Sequence, residues 1–490
     1  MVAHNSLPLV LTDQQPLPIS QCDCACDCAC PNVLTKTGQR HLPVAGGEYV
    51  AAPRVFTMPI RGEYSLLVNP EKGQPAVVND NAFQLWKESL QPQRFPDMGV
   101  GSLQTTLAIQ QMLDLTLIQS HSFQLTASNP QISHSLVAWL HLTNSCNLRC
   151  SYCYVKKDER AMSFEIGLRA VEAVFRSACQ HDFLSVKLKY AGGEPVLNFP
   201  LVLRLHRYTR QLAAEKKLEL DGVILTNGIG WTNAMIKAVL SNAIHVMVSI
   251  DGRQVGHDQQ RFFSNGKGSA AYVLETIERM LTYELIPYLS ITVTQRNLAE
   301  LPELVAWALE RGLPFSFNFY RENQSATRET GLQSTQADLI SGMKSVYRVI
   351  EANLPVWSLT NGLLDRVNMS GPHHYTCPAG QSYMVIDTVG NIACCQMEID
   401  QPVTNILAED PLLNIRSAAS RTLYGDVDNK EDCHECLWRY WCAGGCPIVT
   451  SRVEGRFGAR SPHCEVYKHL IPEVLRLESL RILKYSPQAF

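Results

Sequence analysis

The chain has 490 residues, 46% of them hydrophobic and 18% charged, with a formal net charge of −3. That length allows roughly three domains with full cores, and the near-neutral charge gives no footing to a basic nucleic-acid binder or an acidic-membrane binder. No apolar run reaches the roughly 20 residues of a membrane span, and the N-terminus lacks the basic region and cleavage site of a signal peptide, so a cytoplasmic location is expected. Seventeen cysteines are present, all but Cys179 in three groups. A chain this large needs no disulfide staples, so the grouping favours metal; Cys179, within a helical run, reads as buried packing.

Residues 1–45 carry few periodic apolar positions and include Pro8, Pro16, Pro18, Pro31 and Pro43, the pattern of a cysteine-rich mobile tail. Cys22, Cys24, Cys26, Cys28 and Cys30 alternate strictly, so an extended chain would put their thiols on one face. They could hold a soft metal, or form a thiol-rich tail with no fixed coordination. Residues 46–130 change pattern: Arg61–Asn69 and Gln74–Asn79 predict a hairpin across Pro70–Gly73. Helices are predicted at Asn81–Leu90 and Ser102–Ile118, the second with Leu103, Leu107, Ile109, Met112, Leu113 and Leu117 near helical spacing. This arrangement is similar to the winged-helix-like, PqqD-type domain with which peptide-modifying enzymes grip a leader peptide. The resemblance implies a strand edge or groove for that peptide; a helical cap on a barrel is the alternative.

Residues 131–335 alternate short apolar runs with amphipathic helices. Strands are predicted at Leu136–Leu142, Val186–Tyr190, Val223–Leu225, His245–Ile250, Tyr288–Val293 and Pro314–Phe319, with helices such as Ser163–Ala178 and Leu298–Arg311 between them. Such alternation means an α/β fold with a parallel sheet. Directly after the first strand come Cys146, Cys150 and Cys153, spaced C-x3-C-x2-C. Four thiolates hold an ordinary cubane cluster, so three leave one iron open to a small chelating molecule. A zinc loop would need a fourth Cys or His nearby, and His141 lies within the strand.

This motif, with Tyr152 in its aromatic position, resembles the signature of radical S-adenosylmethionine (radical SAM) enzymes. The resemblance implies a partial (βα)6 barrel and a [4Fe-4S] cluster whose open iron is chelated by S-adenosylmethionine, which is cleaved to a 5′-deoxyadenosyl radical. It assigns Gly192, Gly193, Glu194 and Pro195 to the methionine amino group, with glycines letting backbone approach closely. Asn227, in Thr226-Asn-Gly228, joins the cofactor site by the same resemblance. Ser249 and Arg261, twelve residues apart, are assigned to the ribose and the carboxylate, for which a permanently charged guanidinium is suited. All follow predicted strands, where active residues of complete barrels lie.

Residues 336–375 read as a helical linker, a helix at Thr335–Ala352 followed by Pro355, Asn361-Gly362 and Gly371-Pro372. In residues 376–490, Cys377, Cys395, Cys433, Cys436, Cys442, Cys446 and Cys464 resemble the seven-cysteine pattern of the SPASM domain. That resemblance implies two auxiliary iron–sulfur clusters, one on Cys377, Cys395 and Cys446 and one on Cys433, Cys436, Cys442 and Cys464. The first set is one ligand short, and Cys394, adjacent to Cys395, is poorly placed to complete it. Zinc on Cys433, Cys436, Cys442 and Cys446 is the alternative, which leaves the other three unexplained.

Together these resemblances imply a radical SAM/SPASM maturase that modifies a ribosomally made precursor peptide by thioether or carbon–carbon crosslinking, or by backbone excision. Gln396 argues against sulfatase maturation, because those enzymes place an aspartate there and an amide cannot act as a carboxylate base. An iron–sulfur carrier, or a radical SAM dehydrogenase acting on a protein or small molecule, are the rival readings. Implied partners are a leader-bearing peptide and a flavodoxin- or ferredoxin-type electron donor, with room for a small accessory leader-binding protein; no nucleic acid or membrane is implied. No catalytic base is singled out: Tyr320, Arg321 and Glu322 qualify by position alone.

Overall fold

The computed structural model describes residues 7–13, 48–94, 103–120, 134–323, 331–419 and 425–486. The first part of the chain forms Val10–Leu11 (β1), Glu48–Ala51 (β2), Phe56–Arg61 (β3), Tyr64–Val68 (β4), Ala76–Asn79 (β5), Asp80–Glu88 (α1), Gln93–Arg94 (β6), Leu103–Asp114 (α2) and Ile118–Ser120 (β7). Strands β1-β5-β4-β3 make one antiparallel sheet and β6-β2-β7 another. The expected hairpin is β4–β5, with Leu67 opposite Ala76. Strand β3 is additional to it; Pro59, at a bulge in its pairing with β4, masks it in the sequence, since proline is tolerated on an edge strand.

Residues 7–13 are anchored, contrary to the expectation of a mobile tail. Val10 and Leu11 are buried opposite Val78 and Val77, and Asp13 is 2.8 Å from the Arg481 guanidinium. Asn79 caps α1 by accepting from Ala82 N at 3.0 Å and also donates to Leu7 O at 2.8 Å. A single capping residue therefore fixes both the helix and the returning N-terminal strand. The Cys22–Cys30 run lies outside the described residues. Tyr49, Leu67, Val78, Trp86, Ile109 and Met112 give this region a core of its own.

The next part alternates Ser135–Thr143 (β8), Phe164–Gln180 (α3), Ser185–Gly192 (β9), Phe199–Lys216 (α4), Glu219–Thr226 (β10), Asn233–Ser241 (α5), His245–Ser249 (β11), Val255–Asp258 (α6), Ala270–Thr282 (α7), Tyr288–Val293 (β12), Leu301–Glu310 (α8), Phe315–Phe319 (β13) and Gln336–Ala352 (α9). The six strands are the expected ones and run parallel in chain order from β8 to β13. Helix α9, assigned from sequence to a linker, is the helix that follows the sixth strand: Leu339, Met343, Val346 and Ile350 bury its apolar stripe in the main core.

The cysteine-rich part does not form a separate layer. Tyr383–Ile386 (β14) pairs in parallel with the outer edge of β8, Tyr383 opposite Val137 and Ile386 opposite Leu140. Asn391–Ala393 (β15) and Thr404–Asn405 (β16) extend the sheet antiparallel, giving nine strands. Pro411–Ala419 (α10), Arg439–Cys442 (α11), Pro447–Glu454 (α12) and Cys464–Tyr485 (α13) follow, and Leu470, Val474 and Leu477 of α13 share the core with α9. The N-terminal region docks on the same cysteine field, with the Phe56 and Trp438 rings 4.9 Å apart and Arg439 2.8 Å from Glu71. Among the described residues no helix is long and apolar enough to cross a membrane.

Candidate active site

Strand β8 ends at Thr143, and the loop beyond it brings Cys146, Cys150 and Cys153 to a single open cavity. Two neighbouring segments shape that loop. Arg149 N donates to Phe262 O at 2.7 Å and Ser151 N to Gln260 O at 2.9 Å, so Cys150 sits between two backbone rungs. The partner segment is itself fixed from within: buried His257 lies 2.9 Å from Ser269 Oγ, which donates to Arg261 O at 2.7 Å. On the other side Gly193 N donates to Thr143 O at 2.6 Å and Glu194 N to Ser145 O at 2.9 Å. A Cβ on Gly193 would lie 2.1 Å from Ser145 O, and one on Gly192 (φ +122°) 2.3 Å from Thr143 O. Both glycines line the cavity, yet it is the cysteine loop itself that requires them to lack a side chain.

Asn227, Ser249 and Arg261 line the same cavity, whereas Glu194 and Pro195 do not. Glu194 is fully buried behind it: Oε1 accepts from Thr226 Oγ1 at 2.8 Å and Val196 N at 3.1 Å, and Oε2 from Asn227 N at 2.7 Å. Burial pushes its carboxyl up to about 7 against the pull of these three donors. Its place is to hold Asn227, whose Nδ2 donates to Asn147 Oδ1 at 2.7 Å and lies 3.6 Å from Cys146 Sγ.

Arg261 belongs to a buried triangle. Tyr152 OH donates to Asp251 Oδ2 at 2.5 Å, Arg261 Nη1 donates to Tyr152 OH, and Arg261 stands 3.6 Å from Asp251. Burial, with Asp251 opposing Arg261, holds the Tyr152 phenol well above its usual range. Asp251 was not a sequence candidate, although it sits within Ser249-Ile-Asp-Gly252; its signal was an acid at a strand end, easily taken for a turn residue. Lys157 was also missed. The thiols of Cys153, Cys146 and Cys150 face its ammonium and hold it above its ordinary range against burial, and in sequence it cannot be told from Lys156. Burial pushes the Cys150 thiol up to about 12, with Arg261 working against it. His141 is fully buried, and burial lowers its imidazole to about 3; it does not line the cavity.

The C-terminal cysteines separate into two groups. Cys377, Cys395 and Cys446 line a second, much smaller cavity with Arg366. Cys433, Cys436, Cys442 and Cys464 are one another's electrostatic neighbours. Cys394 is buried in the main core, apart from the cavity of its neighbour Cys395. Cys179 is exposed, not buried packing, because it falls in the last turn of α3. Gln396 and Met397 line both cavities, and Gln396 Oε1 accepts from buried Tyr383 OH at 3.0 Å.

Residues 140–308 match the model of the Radical SAM superfamily. The chain carries a radical SAM domain. Sporulation killing factor maturation protein SkfB of Bacillus subtilis is 24% identical over 289 residues, 57% of this chain and 64% of SkfB, so the match falls short of two thirds of that relative. Among solved structures, anSMEcpe with bound AdoMet and Cp18Cys peptide superposes with a TM-score of 0.56 at 19% identity, over 70% of this chain and 99% of its own. Streptococcus suis SuiB bound to precursor peptide SuiA gives 0.50 at 15% identity, over 85% and 100%. At those identities the structures speak for the fold, which is the α/β radical SAM fold with its parallel sheet.

A radical SAM domain binds a [4Fe-4S] cluster and S-adenosylmethionine, and the residues present suit both. Three thiols face one cavity, the donor set of a cluster with an open iron. Buried Arg261 Nε has no hydrogen-bond partner among the described residues, a donor that a carboxylate would satisfy. The C-terminal groups of three and four thiols suit iron–sulfur ligation in the same way.

Proposed function

We propose that this chain is a radical SAM peptide maturase, in which hydrogen abstraction in the barrel is coupled to oxidation at auxiliary clusters. The observation that carries this reading is the shared wall of Gln396 and Met397 between the cavity of Cys146, Cys150 and Cys153 and that of Cys377, Cys395 and Cys446. A side chain held in the barrel would thus face the first auxiliary thiols across these two residues. When bound, the cluster and S-adenosylmethionine supply the 5′-deoxyadenosyl radical. The chain's own residues orient them: Asn227 through Glu194, Arg261 through Asp251 and Tyr152. Lys157 offsets the charge of the three thiolates.

The substrate class is a ribosomally made precursor peptide. Strand β3 lies at a sheet edge and can offer a leader an extra rung; SkfB is named for maturation of a sporulation killing factor, and SuiB is seen bound to a precursor peptide. Among the described residues lining the barrel cavity no Asp or Glu is present, and Gln396 offers an amide. A mechanism that needs a protein carboxylate base is therefore disfavoured. A three-thiol first set is suited to take a substrate cysteine thiolate as its fourth ligand, which favours thioether closure over carbon–carbon crosslinking or backbone excision.

Anaerobic incubation of reconstituted protein with S-adenosylmethionine, a flavodoxin- or dithionite-type reductant and leader-bearing peptides encoded beside its gene tests the reading by mass spectrometry. A product lighter by two hydrogens, with stoichiometric 5′-deoxyadenosine, is expected. Formation of 5′-deoxyadenosine with every peptide unchanged removes the substrate assignment and keeps the radical chemistry; no cleavage by fully loaded protein leaves an iron–sulfur carrier.

A further inference from the structure

The two C-terminal thiol groups are joined by one short bend, Cys442-Ala443-Gly444-Gly445-Cys446. Ala443, Gly444 and Gly445 have φ of 44°, 76° and 68°, three consecutive left-handed residues of a kind that side chains disfavour. This bend sends Cys442 to the four-thiol group and Cys446 to the three-thiol group. One side of it packs against Tyr467 and Ser461, since a Cβ on Gly445 would lie 2.4 Å from Ser461 Oγ and 3.2 Å from Tyr467 Cε2.

Lys430 fills the other side. It is 5% exposed, and a Cβ on Gly444 would meet its Cδ at 2.4 Å, so glycine there makes room for the lysine stem. Its Nζ donates to Gly444 O at 3.3 Å and reaches Ala443 O at 3.5 Å, while its own carbonyl accepts from Cys433 N at 3.2 Å. The principal charges facing it are thiols of both groups: Cys433 and Cys442 of one, Cys446 and Cys377 of the other. Burying an ammonium is costly unless opposite charge repays it; burial pushes the Lys430 ammonium below its ordinary range, and the thiols of both metal-ligand sets work against that shift.

We propose that Lys430 is a counter-charge shared by both auxiliary clusters, raising their reduction potentials together and electrically linking them. This rests on the assignment of the two thiol groups as cluster ligands. A buried cation stabilises the added electron of a reduced cluster, so its removal disfavours reduction. Each cluster takes up one electron, supplied in the test by dithionite.

The test is an EPR-monitored redox titration of the reconstituted full chain, wild type against Lys430→Met and Lys430→Arg, with iron content measured for each. In Lys430→Met both auxiliary signals should need a lower potential, by at least a tenfold change in the reduced-to-oxidised ratio, which for one electron is about 59 mV. The cluster on Cys146, Cys150 and Cys153 should stay where it is, and Lys430→Arg should keep most of the wild-type values. Unmoved auxiliary potentials overturn the proposal, as does a shift confined to one cluster or an equal shift in the arginine variant. If the methionine variant loses iron, Lys430→Gln is read by the same criteria. Wild-type protein with iron for a single cluster defeats the ligand assignment itself, an outcome distinct from three clusters with unmoved potentials.

Discussion

The cysteine loop of the barrel and the cysteine field of the C-terminal region solve the same problem by different means. The first is held from outside by regular structure: backbone rungs from residues 260–263, close-packed glycines at the end of β9, and a buried carboxylate behind them. The second is held by turns. Its four-thiol group rests on a satellite core of Val427, Cys433, Tyr440 and Ala443, with the three left-handed residues of the 442–446 bend. A site shaped by a sheet should keep its form without metal, whereas one whose ligands are its main cross-links should depend on metal for order, because metal-binding free energy is then folding free energy.

The largest expected effect follows from this contrast. Removing iron with a chelator should strip amide-exchange protection from residues 425–464 by about two orders of magnitude or more, on the order of 3 kcal/mol, and leave β9 and β10 protected. Equal loss in both regions breaks the distinction. A second test attacks the preformed site. Gly193→Ala forces a methyl group onto Ser145 O and should cost about 2–4 kcal/mol, with iron lost from the barrel site first. A variant that melts like wild type and keeps all its iron would show that the loop is more compliant than its packing suggests.

The smallest effect concerns pH. His206, in α4, lies 3.1 Å from Tyr190 OH and 3.1 Å from Asn242 O, and His373 is its counterpart beside the cysteine field. Burial lowers each to about 4 from an ordinary 6.5. Between those values the unfolded chain binds a proton that the folded chain does not. The stability present above pH 6.5 is therefore lost as pH falls towards 4, by up to about 3 kcal/mol per histidine. His206→Gln should flatten that part of the denaturant-midpoint profile, and an unchanged slope would mean that this ring is not held neutral.

Much of the site was legible because its signals are local. Three cysteines within eight residues can reach only one loop, and six apolar runs between amphipathic helices admit little besides a parallel sheet. The seven later cysteines were legible through their spacing and the family it resembles. What escaped was non-local or chemically plain: Asp251 looks like a turn residue, Lys157 like a surface charge, and Gln396, legible as an amide in place of a carboxylate base, gave no sign that two cavities meet at it. Glu194 was legible as a site residue but not as one that acts from behind, because burial is not written in a motif.

By itself, then, the sequence determined the six strands of the barrel, the open thiol loop and the helix stripes, all set by spacing along a few dozen residues. Only the tertiary structure decided that β14 joins the barrel edge beside β8, that α9 belongs to the barrel, that Val10–Leu11 returns to β5, and that Cys394 packs into the main core. Each of these depends on a pairing or a buried face supplied by residues far along the chain. Neighbouring side chains on an extended backbone point opposite ways, and which way is inward is fixed by what packs against them.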